Sequence, residues 1–295
     1  MKKHFLFSAF IALLPFFLFS QIATDTIRSS SHGEYRGRKI KGTYYITWGY
    51  NKDYYSKTDV HVHDDVTNTM DFTLYDMKAH DHPQWNDILR VQPSIPQYGY
   101  RMGYWMPANS RLGGLGIELN FDHAKYIVYD YQTVHIKGQI HGTQVDCDTL
   151  VSYSFMHLEH TDGANFLMLN LIYRKPLFST RHIEGFGMVK AGGGIVIPRS
   201  DVVLFGQEWN HCFHVAGQVF GVETGFRTEF FRYFFLEQTI KGAFANYATV
   251  LAINPILISH RFSAFMMEIH FGFQFPLGTA QKVRDQKNSR TSDSF

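Results

Sequence analysis

His80 and His82 stand two residues apart, and so do His160 and Asp162. That spacing puts each pair on one side of an extended strand. Three such polar clusters recur along the chain: Lys78, His80, Asp81 and His82; Asp122, His123 and Lys125; Glu159, His160 and Asp162. Imidazoles and carboxylates brought together from separate strands make either a metal site or an acid–base pair. The same residue types also suit a wet rim, and Asp162-Gly163 is turn chemistry. His61, His63, Asp64 and Asp65 form a fourth set of ligand-type side chains and read as a polar turn. The chain has no glycine-rich phosphate loop, no paired-cysteine zinc spacing and no nucleophile elbow. No cofactor and no metal is therefore expected.

The elements that position these residues are strands. From Ser263 to Phe275, Phe265, Met267, Ile269, Phe271, Phe273 and Phe275 fall on one face, with Ala264, Glu268, His270, Gly272 and Gln274 on the other. A period of two sustained this long means a strand with one apolar and one polar side. Tyr44, Ile46, Trp48 and Tyr50 alternate with Thr43, Tyr45, Thr47 and Gly49, and Phe72 and Leu74 with Asp71 and Thr73. The clearest hairpin runs from Gln97 to Asp122 about a turn at residues 107–113. Symmetric pairing about that turn sets Arg101 opposite Glu118 and Gly103 opposite Gly116. In a soluble sandwich the apolar rows face a core. In a membrane barrel they face lipid, and the polar rows face a lumen.

Composition bears on that choice. Aromatic residues make up 16% of the chain, with 27 Phe and 17 Tyr, while charged residues make up only 18%. Rings in excess and charges in deficit suit aromatic girdles at two membrane interfaces. A net charge of +2 gives no electrostatic case for nucleic acid. Lys2 and Lys3 precede an apolar run from Phe5 to Phe19 that ends in Ser20-Gln21, the order of a secretory signal peptide. The domain reading is a signal peptide over 1–20, a flexible periplasmic lead-in over 21–41, a barrel over 42–275 and a polar tail over 276–295. Cys147 and Cys212 either pair or stay free.

A charge on the lipid face near mid-membrane costs on the order of 2–4 kcal/mol. Arg101, Glu118, Glu237, Lys241, Glu268 and His270 are accordingly assigned to a lumen network. Working back from the last strand, residues 79–94, 124–162, 198–211 and 243–261 fall outside, with turns at 107–113, 175–184 and 224–228 inside. A small hairpin between about 43 and 64 brings the strand count to about ten, with eight or twelve as alternatives. Segments 132–141 and 148–159 are either an extra pair or an extension above the membrane. The fold class is all-β: a closed antiparallel transmembrane β-barrel with short periplasmic turns and long extracellular loops.

The terminal strand ending Phe271-Gly272-Phe273-Gln274-Phe275, with the recurrent aromatic alternation, resembles the small outer-membrane β-barrel proteins of Gram-negative bacteria. Phe230-Phe231-Arg232-Tyr233-Phe234 is similar to the Bacteroidota type within the OmpA/OmpW-like superfamily. The resemblance implies outer-membrane lipid as surroundings, a monomer, and Phe271, Phe273 and Phe275 as the signal read by the barrel-assembly machinery. It implies a structural or interaction barrel, or a narrow pore with a lumen filled by side chains. The segment Glu159 to Asn165 also resembles the rim motif of barrel enzymes that remove acyl chains from lipid A. The alternative is therefore a lipid hydrolase with Asp122, His123, Glu159, His160 and Asp162 as its rim site. In those enzymes a serine stands two residues after the histidine, where this chain has Asp162. A third reading is a soluble periplasmic β protein, which needs a second layer over the aromatic rows.

Overall fold

The computed structural model describes residues 34–35, 38–82, 97–107, 114–160, 162–210, 212–252 and 255–280. The expected signal peptide, most of the expected lead-in and tail, and residues 108–113 of the expected first turn lie outside the described residues.

Strand labels follow chain order. Eight strands form a ring: β2 (Arg38–Tyr55), β6 (Tyr98–Trp105), β7 (Leu115–His123), β12 (Phe166–Ser179), β13 (Ile183–Val196), β16 (Gly217–Phe230), β17 (Phe234–Leu251) and β18 (Ile256–Ala280). Each pairs antiparallel with the next, and β18 returns to β2 from Ala264↔Tyr55 to Ala280↔Arg38. A two-residue strand, β1 (Glu34–Tyr35), pairs with the start of β2. The ring therefore closes at eight, the lower of the counts read from sequence. Residues 38–41 of the expected lead-in already belong to β2, and 276–280 of the expected tail to β18.

The alternation follows the pleat around the ring. Tyr44, Ile46, Tyr100, Met102, Ile117, Leu119, Leu169, Leu171, Phe220, Val222, Ile240, Phe265, Phe271, Phe273 and Phe275 point outward and are exposed in the isolated chain. Arg101, Glu118, Asn170, Lys190, Glu223, Arg227, Glu237, Lys241 and Glu268 point inward and are buried. This is the reverse of a soluble barrel, with the apolar belt outside and the charges enclosed. Such a surface is stable against hydrocarbon.

The wall is uneven. β6 and β7 have 8 and 9 residues, while β17 and β18 have 18 and 25. Crossing the hydrocarbon takes about 9–11 residues of tilted strand, so the tops of β17 and β18 rise beyond the barrel. There β18 pairs with β3 (Thr58–Asp64), and the sheet continues through β4 (Asp71–Met77), β9 (Gln132–Ile140) and β10 (Thr143–Val151). A second sheet, in the order β15 (Gln207–Asn210), β14 (Asp201–Leu204), β11 (Met156–His160), β8 (Tyr126–Val128) and β5 (Ala79–His80), packs against this extension. Val60, Val62, Phe72, Leu74 and Ile136 from one sheet and Tyr126, Val128, Met156, Leu158, Val202 and Leu204 from the other form one buried core. The barrel thus carries a two-layer β head.

Four expectations change. The hairpin of β6 and β7 pairs Arg101 with Asn120 and Gly103 with Glu118, two residues out of the symmetric register. A slip of two preserves every face, which is why the inside–outside assignment survives it. Residues 224–228 are not a turn but the middle of β16; the turn is Phe231-Arg232-Tyr233, with Phe231 and Arg232 at φ of 51° and 66°. Residues 243–261 are mostly strand, and the connection between β17 and β18 is confined to 252–255. The small hairpin expected between 43 and 64 is instead the long barrel strand β2 followed by the head strand β3, and residues 132–151 are the extension above the barrel.

Candidate functional site

Within the ring the inward side chains fill the space, as an eight-stranded barrel allows. The hub is Arg101 on β6. Its Nε donates to Asn120 Oδ1 at 2.9 Å, and Nη1 to Glu223 Oε1 at 2.8 Å and Glu237 Oε1 at 2.7 Å. Nη2 donates to Glu223 Oε2 at 3.1 Å and to Glu268. All five guanidinium donors are therefore used. Lys190 on β13 adds bonds to Glu118 Oε2 at 3.0 Å and Glu237 Oε1 at 2.6 Å, and Lys241 on β17 pairs with Asp122. His270 bonds Thr47 Oγ1 at 3.1 Å, and its Nε2 lies 3.5 Å from Glu268. The ring of His270 occupies the space a Cβ on Gly99 would need, so that position of β6 takes no side chain.

Toward the tight turns lies a second network. Arg227 donates to Glu229 Oε1 at 3.1 Å and Gln274 Oε1 at 2.8 Å, and its guanidinium lies 3.3 Å from the centroid of the Phe235 ring. Arg174 pairs with Glu229 and lies over Trp105 at 4.4 Å. Tyr45, Trp105, Ile172, Met188 and Phe235 make the apolar packing around these cations. At the other end Tyr55, Tyr126, Tyr247 and Phe262 form an aromatic layer, with Tyr126 and Phe262 stacked at 4.4 Å. The lumen is charge-filled between two aromatic layers.

Arg101, Glu118, Glu237, Lys241, Glu268 and His270 point inward and are buried, but Arg101 and Glu118 do not bond one another; Arg101 bonds Glu223, Glu237 and Glu268, and Glu118 bonds Lys190 and Tyr45 Oη at 2.6 Å. Lys190, Glu223, Arg227, Glu229 and Arg174 were missed. Reading 224–228 as a turn broke the inward row of Glu223, Arg227 and Glu229. Kept as one strand, its period of two would have shown all three.

The candidate rim residues do not converge. Asp122 points into the lumen and bonds Lys241 and Asn120. His123 bonds Asn165 Oδ1 at 2.9 Å and stacks on Tyr98 at 4.5 Å. Gly163, at φ 102°, lies where a Cβ would strike both His123 and Asn165, so the Asp162-Gly163 turn needs its glycine. Asp162 itself is half-buried and pairs with Arg199. Glu159 faces His157 at 3.6 Å on the outer face of the head. Burial opposes charge on His157, but bonds to Glu159 and Asp130 outweigh it and raise its pKa. His160 reaches a hydroxyl, Ser200 Oγ at 2.8 Å, but both are fully buried in the head core and neither borders the lipid-facing wall.

In the first cluster, Asp81 pairs with Lys52 and accepts from the Asp53 amide at 2.9 Å, while His80 packs on Tyr129 at 4.5 Å. His61 bonds Asp71 Oδ1 at 2.8 Å on the outer face of β3 and β4. Among the described residues, no group of three or more His, Cys, Asp or Glu side chains is arranged to hold a metal ion. Cys147 and Cys212 are free and exposed.

An apolar outer belt, a closed antiparallel ring and an interior of paired charges define a transmembrane β-barrel by architecture. No protein-family model matches the chain, and no curated protein matches it. Among solved structures it is similar to the outer membrane protein OprG from Pseudomonas aeruginosa, with 13% identity over 81% of this chain and 98% of that one, at a TM-score of 0.41. It is similar to the outer membrane protease OmpT from Escherichia coli, with 8% identity over 82% and 100%, at 0.33. It is also similar to Ail, the attachment invasion locus protein of Yersinia pestis, in complex with the heparin analogue sucrose octasulfate, with 9% identity over 80% and 100%, at 0.30.

Proposed function

We propose that this chain is an outer-membrane barrel whose task is to hold a folded interaction head at the cell surface, and that its lumen does not conduct. The observation that carries the reading is the continuity of β18 with β3, β4, β9 and β10, backed by a second sheet over one shared core. A head built on the barrel wall itself is held rigidly, as a recognition surface requires. A pore would have to dismantle a network in which Arg101, Lys190 and Lys241 each neutralise buried carboxylates. Removing one partner from such a network costs several kcal/mol. On this reading the outward belt contacts outer-membrane lipid, the protein is a monomer, and Phe271, Phe273 and Phe275 on the closing strand present the aromatic signal to the barrel-assembly machinery.

The test is labelling of intact cells with a membrane-impermeant maleimide. Cys147 on β10 and Cys212 before β16 lie at the head end and are expected to react. In a Cys147→Ser, Cys212→Ser background, a cysteine replacing Thr180 between β12 and β13 is expected to react only after the outer membrane is permeabilised. The opposite pattern would place the head in the periplasm and end the proposal.

A further inference from the structure

One buried cluster is used neither by the lumen nor by the outer face of the head. His160 ends β11 in the head's second sheet, and His260 stands on the part of β18 that rises beyond the barrel and pairs with Val60 of β3 in the head's first sheet. Their Nε2 atoms are 3.0 Å apart, and His160 Nδ1 is 2.8 Å from Ser200 Oγ. Residues 40 and 100 positions away thus meet His160 inside the protein. His260 Nδ1 is buried and has no partner.

The bonds fix where the protons sit. Were His260 to accept at Nε2, its own N–H would lie on Nδ1 as an unpaired buried donor, the costlier kind of orphan. The better assignment has His260 Nε2–H donating to His160 Nε2, and His160 Nδ1–H donating to Ser200 Oγ. Every nitrogen in the chain of bonds is then committed. The one site left for another proton is His260 Nδ1, which faces no acceptor.

The surroundings offer no counter-charge. From β8 comes Tyr126, with ring centroids 5.7 and 5.2 Å from the two imidazoles. From β17 comes Tyr247 at 4.7 and 4.8 Å, its hydroxyl donating to Ala164 O at 2.6 Å. From β18 comes Phe262 at 5.6 Å from His260, and behind it lies Tyr55 of β2. The next titratable group is a third histidine, His214, tied to the Cys212 and Thr249 carbonyls. Burial first, then His260 and His214, hold the His160 pKa well below its ordinary value.

We infer that His160, Ser200 and His260 form an acid-released latch that clamps the head's second sheet to its first, where the first is carried by the extension of β18. The latch is closed while both imidazoles are neutral. In the open state each ring meets water and takes a proton near its ordinary pKa of about 6.5. A group whose pKa is lowered in the closed state favours that state above the ordinary value and ceases to do so as pH falls below it. Acidification therefore shifts the equilibrium toward release of the second sheet while leaving the barrel intact. The inference deepens the reading of the head as the working surface, because it makes that surface responsive to acid.

Hydrogen–deuterium exchange of the full chain in lipid nanodiscs, corrected for intrinsic rates, tests this at pH 7.5 and 5.5. Each imidazole contributes about tenfold to the opening constant across that interval, so β11 and β14 are expected to lose protection about a hundredfold, with β12 and β13 unchanged. His160→Gln and His260→Gln should each retain about tenfold, and the double variant none. The ratio is read within each variant, so a less stable head does not obscure it. His157→Gln removes a group whose raised pKa resists release as pH falls, and so should keep or enlarge the acid dependence. Equal protection of wild-type β11 at the two pH values, or an undiminished ratio in the double variant, overturns the latch. Neither outcome touches the placement of the head at the surface, which the maleimide labelling reads separately.

Discussion

Arg101→Met is expected to lower the unfolding free energy of the barrel by at least about 3–5 kcal/mol, the cost of stripping one partner from a buried ion pair. The methionine fills much of the same volume, so packing is not the main loss. What is lost is the cation between Glu223, Glu237 and Glu268, all buried. Lys190 continues to serve Glu223 and Glu237 at 3.2 and 2.6 Å, but Glu268 keeps only Thr239 at 3.3 Å and His270 at 3.5 Å. Adding Glu268→Gln to Arg101→Met should therefore recover a large part of the loss, although Glu268→Gln alone should be destabilising. That sign reversal is a coupling a double-mutant cycle isolates. Urea unfolding of the protein refolded into lipid vesicles gives all four values. Additive single effects would mean that the network is not a unit.

Leu171→Arg should cost about 2–4 kcal/mol, the expense of a cation on the lipid face near the bilayer midplane. Leu171 lies halfway along β12 and is 71% exposed in the isolated chain. Leu150 on β10 of the head is also exposed, at 56%. By exposure alone the two substitutions should behave alike, and in a water-soluble protein both would fall within about 0.5 kcal/mol of neutral. Their surroundings separate them, since Leu171 meets hydrocarbon and Leu150 meets water. Equal, small effects at both positions in vesicles would remove the reason for placing the belt in a bilayer.

How much of this was legible depended on whether a residue's neighbours along the chain decide its environment. The rows of Ser263 to Phe275 and of Gln97 to Asp122 could be read directly, because a period of two sorts side chains to faces without reference to any partner strand. Register could not, since it depends on residues 108–113 and on the partner strand. The turn at Phe231-Arg232-Tyr233 contains none of the usual turn residues, whereas 224–228 contains a glycine and a charge inside a strand, so residue-type rules reversed the two.

The head was beyond reach for a different reason. Val60, Val62, Phe72 and Leu74 alternate just as a lipid-facing row does, and only the second sheet over them shows that they face a core. His160 was singled out for its spacing to Asp162, yet its partners are Ser200 and His260, which no local pattern connects to it. The lumen hub shows the same limit: spacing along the chain offers Arg101 a cross-strand partner in Glu118, in place of the three carboxylates it reaches across the barrel.

Nitroxide labels placed singly at residues 168–173, in a Cys147→Ser, Cys212→Ser background in bilayers, test most directly which medium meets the ring-rich face. Spin-label relaxation should show 169, 171 and 173 accessible to oxygen and shielded from a water-soluble nickel chelate, with 168, 170 and 172 shielded from both. Labels at 169, 171 and 173 that meet the nickel chelate, or that neither reagent reaches, would contradict the account.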